Sequence, residues 1–138
     1  MIRGRIAQSR SGFKLTALQL NENDIEAACL DVLRVRLWKA FRLQSGTFRS
    51  ADLKRWIKGE PKGTPDYLVA HKRYPAFLLE TKRPGGKLSE IQEYRVWEIQ
   101  LGYGLAFFKA DSARELGRWL DDYERIHDER INRPLASP

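Results

Sequence analysis

Two short apolar runs, 67–70 and 76–79, flank a polar segment of five residues that ends at Pro75. Apolar runs of this length around a polar turn predict a β-hairpin. A hairpin centred on Arg73 pairs position 66 with position 80, because both lie seven residues from the centre. Asp66 and Glu80 would then face each other, with Cβ atoms about 5 Å apart. This pairing limits both the topology of the chain and its chemistry.

Two carboxylates at that separation repel each other unless a cation lies between them, so Asp66 and Glu80 predict a divalent metal site. Oxygen ligands suit Mg²⁺ or Mn²⁺, ions that also bind phosphate oxygens. Lys82 shares a strand face with Glu80 and adds a positive charge there. Together these groups favour phosphodiester hydrolysis. In the alternative interpretation, Asp66 caps a turn and Glu80 forms a surface ion pair with Lys82.

The remaining elements are predicted from periodicity and from capping residues. The helix that begins at Ser89 carries the capping-box pattern Ser89-x-x-Gln92 and an apolar series that includes Trp97. We expect the aromatic residues of this part of the chain to be core, namely Trp97, Phe107, Phe108 and Trp119. The predicted elements are a first helix from 21–24 through Phe41, an open region 46–57 (strand, turn or hairpin), the hairpin, a helix 89–102, a strand 103–108 and a last helix from 111 or 112. That order predicts an α/β (α+β) fold, a mixed sheet flanked by helices.

Composition narrows the function classes. The 138 residues suit one domain, and 25 Lys and Arg against 18 Asp and Glu give a net charge of +7, which favours polyanionic partners. Nucleic acid is the first candidate partner and an anionic membrane the second. One cysteine, Cys29, and two histidines, His71 and His127, exclude a disulfide scaffold and a zinc finger.

The N-terminal segment 1–20 is a basic arm with no acidic residue, a composition also typical of an organelle transit peptide. The sequence has neither a run of about 18 apolar residues nor the apolar stretch of a secretory signal. We therefore expect a soluble, cytoplasmic protein without membrane association.

Three motifs occur in a fixed order: Gly63-Thr64-Pro65-Asp66, then Glu80-Thr81-Lys82, then Leu88-Ser89-Glu90-Ile91-Gln92. This series resembles the VRR-NUC branch of the PD-(D/E)XK nuclease superfamily over about residues 24–108. The resemblance implies a restriction-endonuclease-like core, ordered α-β-β-β-α-β with a C-terminal helix. It further implies a single nuclease domain over 1–138, with the basic arm at 1–20 and a polar tail at 131–138.

The resemblance also implies roles for individual residues. Asp66 and Glu80 resemble the metal carboxylates, the Thr81 carbonyl a further ligand, and Lys82 the catalytic lysine. The full set of residues that resemble catalytic or metal-binding positions is Asp66, Glu80, Thr81, Lys82, Gln92 and Glu26.

Two of these assignments have competing interpretations. Glu26 is similar in place to an acid on the first helix that helps to hold the metal, but Glu22 and Asp31 compete for that role. Gln92 can serve the active centre or close the capping box with Ser89. We expect the two roles to coexist only if the Gln92 side chain changes its hydrogen-bond partners.

The function that the resemblance implies is a Mg²⁺- or Mn²⁺-dependent DNA endonuclease, acting as a homodimer on branched DNA such as four-way (Holliday) junctions. Two alternatives stay open, a non-catalytic DNA-binding module with a nuclease fold and a sequence-specific, restriction-like nuclease. Basic residues around the hairpin predict contacts to phosphates without base reading. The predicted DNA-binding residues are Lys62, Lys72, Arg73, Arg83, Lys87 and Arg95.

Overall fold

A computed structural model describes residues 21–43, 47–49, 56–58 and 61–133. The predicted basic arm, 1–20, lies outside the described residues, as does the end of the predicted tail, 134–138. The described helices are α1 (Glu22–Val35), α2 (Glu90–Tyr103) and α3 (Ala113–Asn132). The described strands are β1 (Lys39–Arg42), β2 (Thr47–Arg49), β3 (Trp56–Lys58), β4 (Tyr67–Ala70), β5 (Phe77–Thr81) and β6 (Ala106–Ala110).

The main sheet has four strands in the order β1-β4-β5-β6. β1 pairs antiparallel with β4, and β4 with β5, whereas β5 and β6 are parallel and connected through α2. The mixed sheet with flanking helices and the order of its elements confirm the predicted α+β fold. β2 and β3 form a separate antiparallel hairpin in the region that the sequence left open.

The register of the β4–β5 hairpin is the predicted one. Tyr67 pairs with Leu79, and Val69 with Phe77, so that both pairs are centred on Arg73. One further step along the same register places Asp66 opposite Glu80. The turn therefore delivers both acids to the same end of the hairpin.

The prediction that the first helix continues through Phe41 is wrong, because α1 ends at Val35 and 39–42 is strand β1. Leu37 adopts a left-handed backbone conformation (φ 66°), which redirects the chain and buries Trp38. The Trp38 indole N–H donates to Glu124 of α3 at 2.8 Å. Leu37 and Phe41 have helical spacing but are exposed, so their periodicity was misleading.

The core lies between the sheet and the helices α1 and α3. The helices contribute buried apolar side chains from one face of α1 and from two turns of α3. In both helices these residues recur at intervals of four. The members with the largest fully buried side chains are Phe77, Leu33, Leu79, Leu116, Leu120 and Val69. Cys29 is also fully buried, and burial raises the pKa of its thiol to about 11, so the thiol stays protonated at neutral pH.

Trp119 and Phe108 pack against this core, as predicted, and their rings stack at 5.0 Å between centroids. Phe107 is half-buried on the same strand as Phe108. The prediction for Trp97 is wrong, because Trp97 is 59% exposed. None of the fourteen residues of α2, all of them described, is buried. The half-buried side of α2 carries Gln92 together with the apolar Val96 and Ile99, and the apolar series that includes Trp97 faces outward.

The different surroundings of two tryptophans give a matched test. Trp119→Ala removes stacking on Phe77, Phe108 and Tyr123 and should lower the free energy of unfolding by about 3 kcal/mol. Trp97→Ala makes the same chemical change on an exposed helix face and should cost less than about 1 kcal/mol. Urea unfolding followed by circular dichroism measures both. Equal losses would contradict this assignment of the core.

Candidate metal centre

The turn before β4 is fixed against the start of α2. Gly63 has a positive φ (83°), and a Cβ there would lie 2.6 Å from the carbonyl oxygen of Ile91. Only glycine fits both the conformation and the close approach. Arg95 of α2 holds the same turn, because its Nε donates to the Lys62 carbonyl at 3.2 Å. The turn, α2 and the neighbouring Asp66 are thereby positioned together.

Three carboxylates lie close together at the end of the β4–β5 hairpin opposite its turn. Glu22, Asp66 and Glu80 each offer an oxygen within 4.8 Å of the others. Asp66 Oδ2 accepts hydrogen bonds from the Thr81 amide and hydroxyl, both at 3.4 Å. Thr81 is buried beside the acids, and its carbonyl as a metal ligand stays a prediction. We call Glu22, Asp66 and Glu80 the acid cluster.

The surroundings of Glu80 disfavour the charged form of its carboxyl group. Its side chain is 4% exposed, and burial, followed by the charges of Asp66 and Glu22, raises its pKa to about 7. Lys82 acts in the opposite direction, with Nζ 3.7 Å from Glu80 Oε2. One ammonium thus offsets only part of the repulsion among three acids. A divalent cation would supply the missing positive charge.

Gln92 closes the predicted capping box and also contacts the acid cluster. Its Oε1 accepts from the Ser89 amide at 2.9 Å, which completes the capping box, and its Nε2 donates to Glu80 Oε2 at 3.3 Å. The cap therefore leaves the other end of the amide free to contact Glu80, and a role of Gln92 in the chemistry stays a prediction. Helix α2 is thereby connected directly to the acid cluster.

The structure does not bring Glu26 into the acid cluster. Glu26 Oε2 instead accepts from Arg42 at 2.6 Å and from the Tyr67 hydroxyl at 2.8 Å, which connects α1 to β1 and β4. Glu22 lies one turn earlier on the same helix and reaches Asp66 and Glu80. Asp31, the other competitor, pairs with Arg34 at 2.8 Å. Glu26 therefore positions the helix that presents Glu22.

From the sequence alone, Glu22 was a competitor of Glu26 for the role of the metal-binding acid on the first helix. The helix start was visible in the pattern Asn21-x-x-Asp24, which forms a capping box in the structure. Glu22 is the first residue of α1, and that position also favours a carboxylate near the helix N-terminus. What the sequence could not show is which turn of α1 lies beside the β4–β5 hairpin.

The predicted DNA-binding residues separate into three groups. Lys62, Arg83 and Lys87 are exposed on segments next to the acid cluster. Arg95 is held within the protein by the Lys62 carbonyl and by Glu98, at 2.6 Å. Lys72 and Arg73 lie in the turn at the opposite end of the hairpin.

At that far turn, Arg73 and Lys72 differ in their contacts. Arg73 pairs with Asp128 of α3 at 2.8 Å, and Tyr74 donates to the same carboxylate. Lys72 is exposed and lines a cavity between α1 and β1. The structure therefore does not place either residue beside the acids.

Comparison of the chain with protein-family models, with curated proteins and with solved structures finds no match. The resemblance to VRR-NUC nucleases therefore rests on the motif residues and their arrangement. In the part of the chain that the structure describes, the helices are too short or too polar to span a bilayer.

The raised pKa of Glu80 predicts a pH dependence of stability in EDTA. The native state holds this proton more tightly than the unfolded chain does, so the contribution is full below about pH 4.5 and is lost as the pH rises to about 7. The loss is roughly 3 kcal/mol for a shift of this size. Glu80→Gln should remove it, so that the variant is more stable than the wild type at pH 8 and the difference shrinks toward pH 4.5.

Urea unfolding at pH 4.5 and pH 8 measures that difference. Glu129→Gln is the matched control, because Glu129 is exposed and pairs with Arg125 on its own helix, and it should change stability by less than about 0.5 kcal/mol. Mn²⁺ should stabilise the wild type and not Glu80→Gln. A gap between Glu80→Gln and wild type that widens toward acid would contradict the electrostatic account.

Proposed function

We propose that this chain is a metal-dependent DNA endonuclease of the PD-(D/E)XK type, similar to VRR-NUC proteins. The observation that carries the proposal is the convergence of Glu22, Asp66 and Glu80 with Lys82 at one end of the sheet. The three motifs of the resemblance contribute Asp66, Glu80, Lys82 and the Gln92 that bonds to Glu80. An isolated acidic group at the surface would not account for this combination of contacts.

The donor set fits Mg²⁺ or Mn²⁺, with Glu22, Asp66 and Glu80 as ligands through their oxygens. When bound there, the ion would polarise a phosphate oxygen and make water a stronger nucleophile. Lys82 would offset the negative charge that develops on the phosphate, since its ammonium lies beside Glu80 and is 18% exposed. Gln92 would keep the Glu80 carboxylate in one orientation.

DNA is the proposed substrate because the chain is strongly basic and exposed cationic residues adjoin the acid cluster. Lys62, Arg83 and Lys87 would contact phosphates on either side of the cut. Between Arg83 and Lys87, the chain makes a tight turn in which the Gly86 amide donates to the Arg83 carbonyl at 2.8 Å and Gly85 has a positive φ. This turn lets backbone approach a DNA strand closely. Branched DNA such as a four-way junction is the proposed preference.

Cleavage assays with Asp66→Asn and Lys82→Met test the assignment. Labelled four-way junction, flap, linear duplex and single-stranded DNA are incubated with Mg²⁺ or Mn²⁺, and both variants should cut at least about 100-fold more slowly than the wild type. Asp31→Asn, an exposed acid of the same helix as Glu22, should keep the wild-type rate. Circular dichroism verifies that each variant is folded.

The outcomes discriminate the alternatives. Metal-independent binding without product from any DNA would favour a non-catalytic module, and cleavage at one recurrent sequence would favour a restriction-like enzyme. Asp66→Asn at the full rate would rule out the acid cluster as the site of chemistry.

A homodimer is proposed through α2. Four apolar side chains on its outward side are 45–71% exposed, which is unusual for one helix of a monomer: Ile91, Tyr94, Trp97 and Leu101. In a two-fold assembly the same stripe packs against itself, and two catalytic centres can then cut two strands.

Trp97→Asp should therefore shift the protein from dimer to monomer in size-exclusion chromatography with light scattering. Ile126→Asp, which places the same charge on a 40% exposed position of α3, should leave the dimer intact. A wild type that elutes as a monomer at 100 µM would overturn the dimer proposal.

A further inference from the structure

A cavity of about 840 Å³ opens between the end of α1, strand β1 and the far turn of the β4–β5 hairpin. Its walls are apolar, with Leu30, Leu33 and Phe41 among them. Its cationic lining is Arg34, Lys39 and Lys72. Among the described residues that line it there is no carboxylate. We call this space the α1–β1 cavity.

The α1–β1 cavity is separate from the acid cluster. Lys39 and Ala70 line it and are paired in the sheet, whereas Arg42 pairs with Tyr67 at the end that carries Asp66. Ala70 lies four residue steps from Asp66 along extended strand, a distance of roughly 13 Å. A DNA strand would cover that distance within a few nucleotides.

The lining selects a ligand with a flat or compact apolar body and a negative charge. Phe41 is 45% exposed, so part of its ring is open to a ligand. Lys39 Nζ lies over that ring, 5.4 Å from its centroid, so an ammonium would adjoin a base that contacts the exposed part of the ring. Lys72 adds a second exposed cation. Aromatic faces next to cations are the arrangement with which proteins bind single strands, base by base.

The backbone at the cavity mouth supports a binding role. Leu37 lines the cavity, is 78% exposed and has φ 66°, a conformation that costs a non-glycine residue of order 1 kcal/mol. Glycine would adopt this conformation without strain. The leucine side chain adds apolar wall at the mouth of the cavity and is itself mostly exposed.

We propose that the α1–β1 cavity binds an unpaired nucleotide of the DNA strand, with its base against Phe41 and Leu37 and its phosphate at Lys39 and Lys72. This inference rests on the proposed DNA substrate and adds a second contact a few nucleotides from the cut. A paired base is held in the duplex stack and cannot enter, so the cavity selects DNA with single-stranded character. The basic arm 1–20 is a poor occupant, because its charge has the same sign as the cavity's cations.

Fluorescence polarisation in EDTA tests the proposal without cleavage, using labelled octathymidylate and an eight-base-pair duplex. Phe41→Ala should weaken octathymidylate binding about tenfold and leave duplex binding within twofold. Leu37→Gly should weaken octathymidylate binding without lowering the thermal midpoint, since it removes strain together with the wall. Lys72→Glu should weaken it and reduce its salt dependence.

Arg118→Glu is the matched control for charge, because Arg118 is exposed on α3 and the change in net charge equals that of Lys72→Glu. It should alter octathymidylate affinity less than twofold. Equal effects of Arg118→Glu and Lys72→Glu, or unchanged affinity in both Phe41→Ala and Leu37→Gly, would overturn the proposal. So would saturable binding of decanoate that Phe41→Ala abolishes while octathymidylate binding stays at the wild-type level, since the cavity would then be an acyl site.

The cavity proposal and the nuclease proposal can fail independently of each other. Octathymidylate binding is measured in EDTA and cleavage is measured with Mg²⁺ or Mn²⁺, so the two assays report on the two proposals separately. If wild-type protein cuts no DNA but Phe41→Ala still loses tenfold in binding, the cavity assignment stands and the nuclease assignment fails. If the wild-type protein cuts DNA but the cavity variants bind octathymidylate normally, the nuclease assignment stands and the cavity assignment fails.

Discussion

The pairing of β4 with β5 is the constraint on which the rest of the site depends. A shift of one residue in this register would turn Val69 and Phe77 out of the core and would separate Asp66 from Glu80. The apolar burial that fixes the strands therefore also fixes the distance between two carboxylates. Stability of the sheet and geometry of the acid cluster are consequences of the same contacts.

How much of this arrangement the sequence could predict depends on the range of each interaction. The hairpin register and the Ser89–Gln92 cap are local, because each is set by residues close in the chain, and both match the structure. The order of elements along the chain was predictable too, except for β1, whose residues have helical spacing from the first helix. The third acid was not, because the approach of Glu22 to Asp66 depends on how α1 packs across the sheet.

Two errors share one physical cause. Phe41 and Trp97 both have helical spacing from other apolar residues, and spacing alone does not tell whether that side of the element meets the core. In α1 the left-handed Leu37 ends the helix so that Trp38 can reach Glu124. In α2 the half-buried side carries Gln92, which contacts Glu80, together with Val96 and Ile99, and the series with Trp97 lies on the exposed side.

Position 92 shows how narrow the choice of side chain becomes when one residue joins a helix end to a charged centre. Glutamate would still accept from Ser89 but would bring a fourth negative charge toward Glu80, whereas lysine would neutralise Glu80 and leave the Ser89 amide without its acceptor. Leucine would lose both contacts. An amide of this length, with an acceptor and a donor on one planar group, is the chemistry that satisfies both neighbours simultaneously.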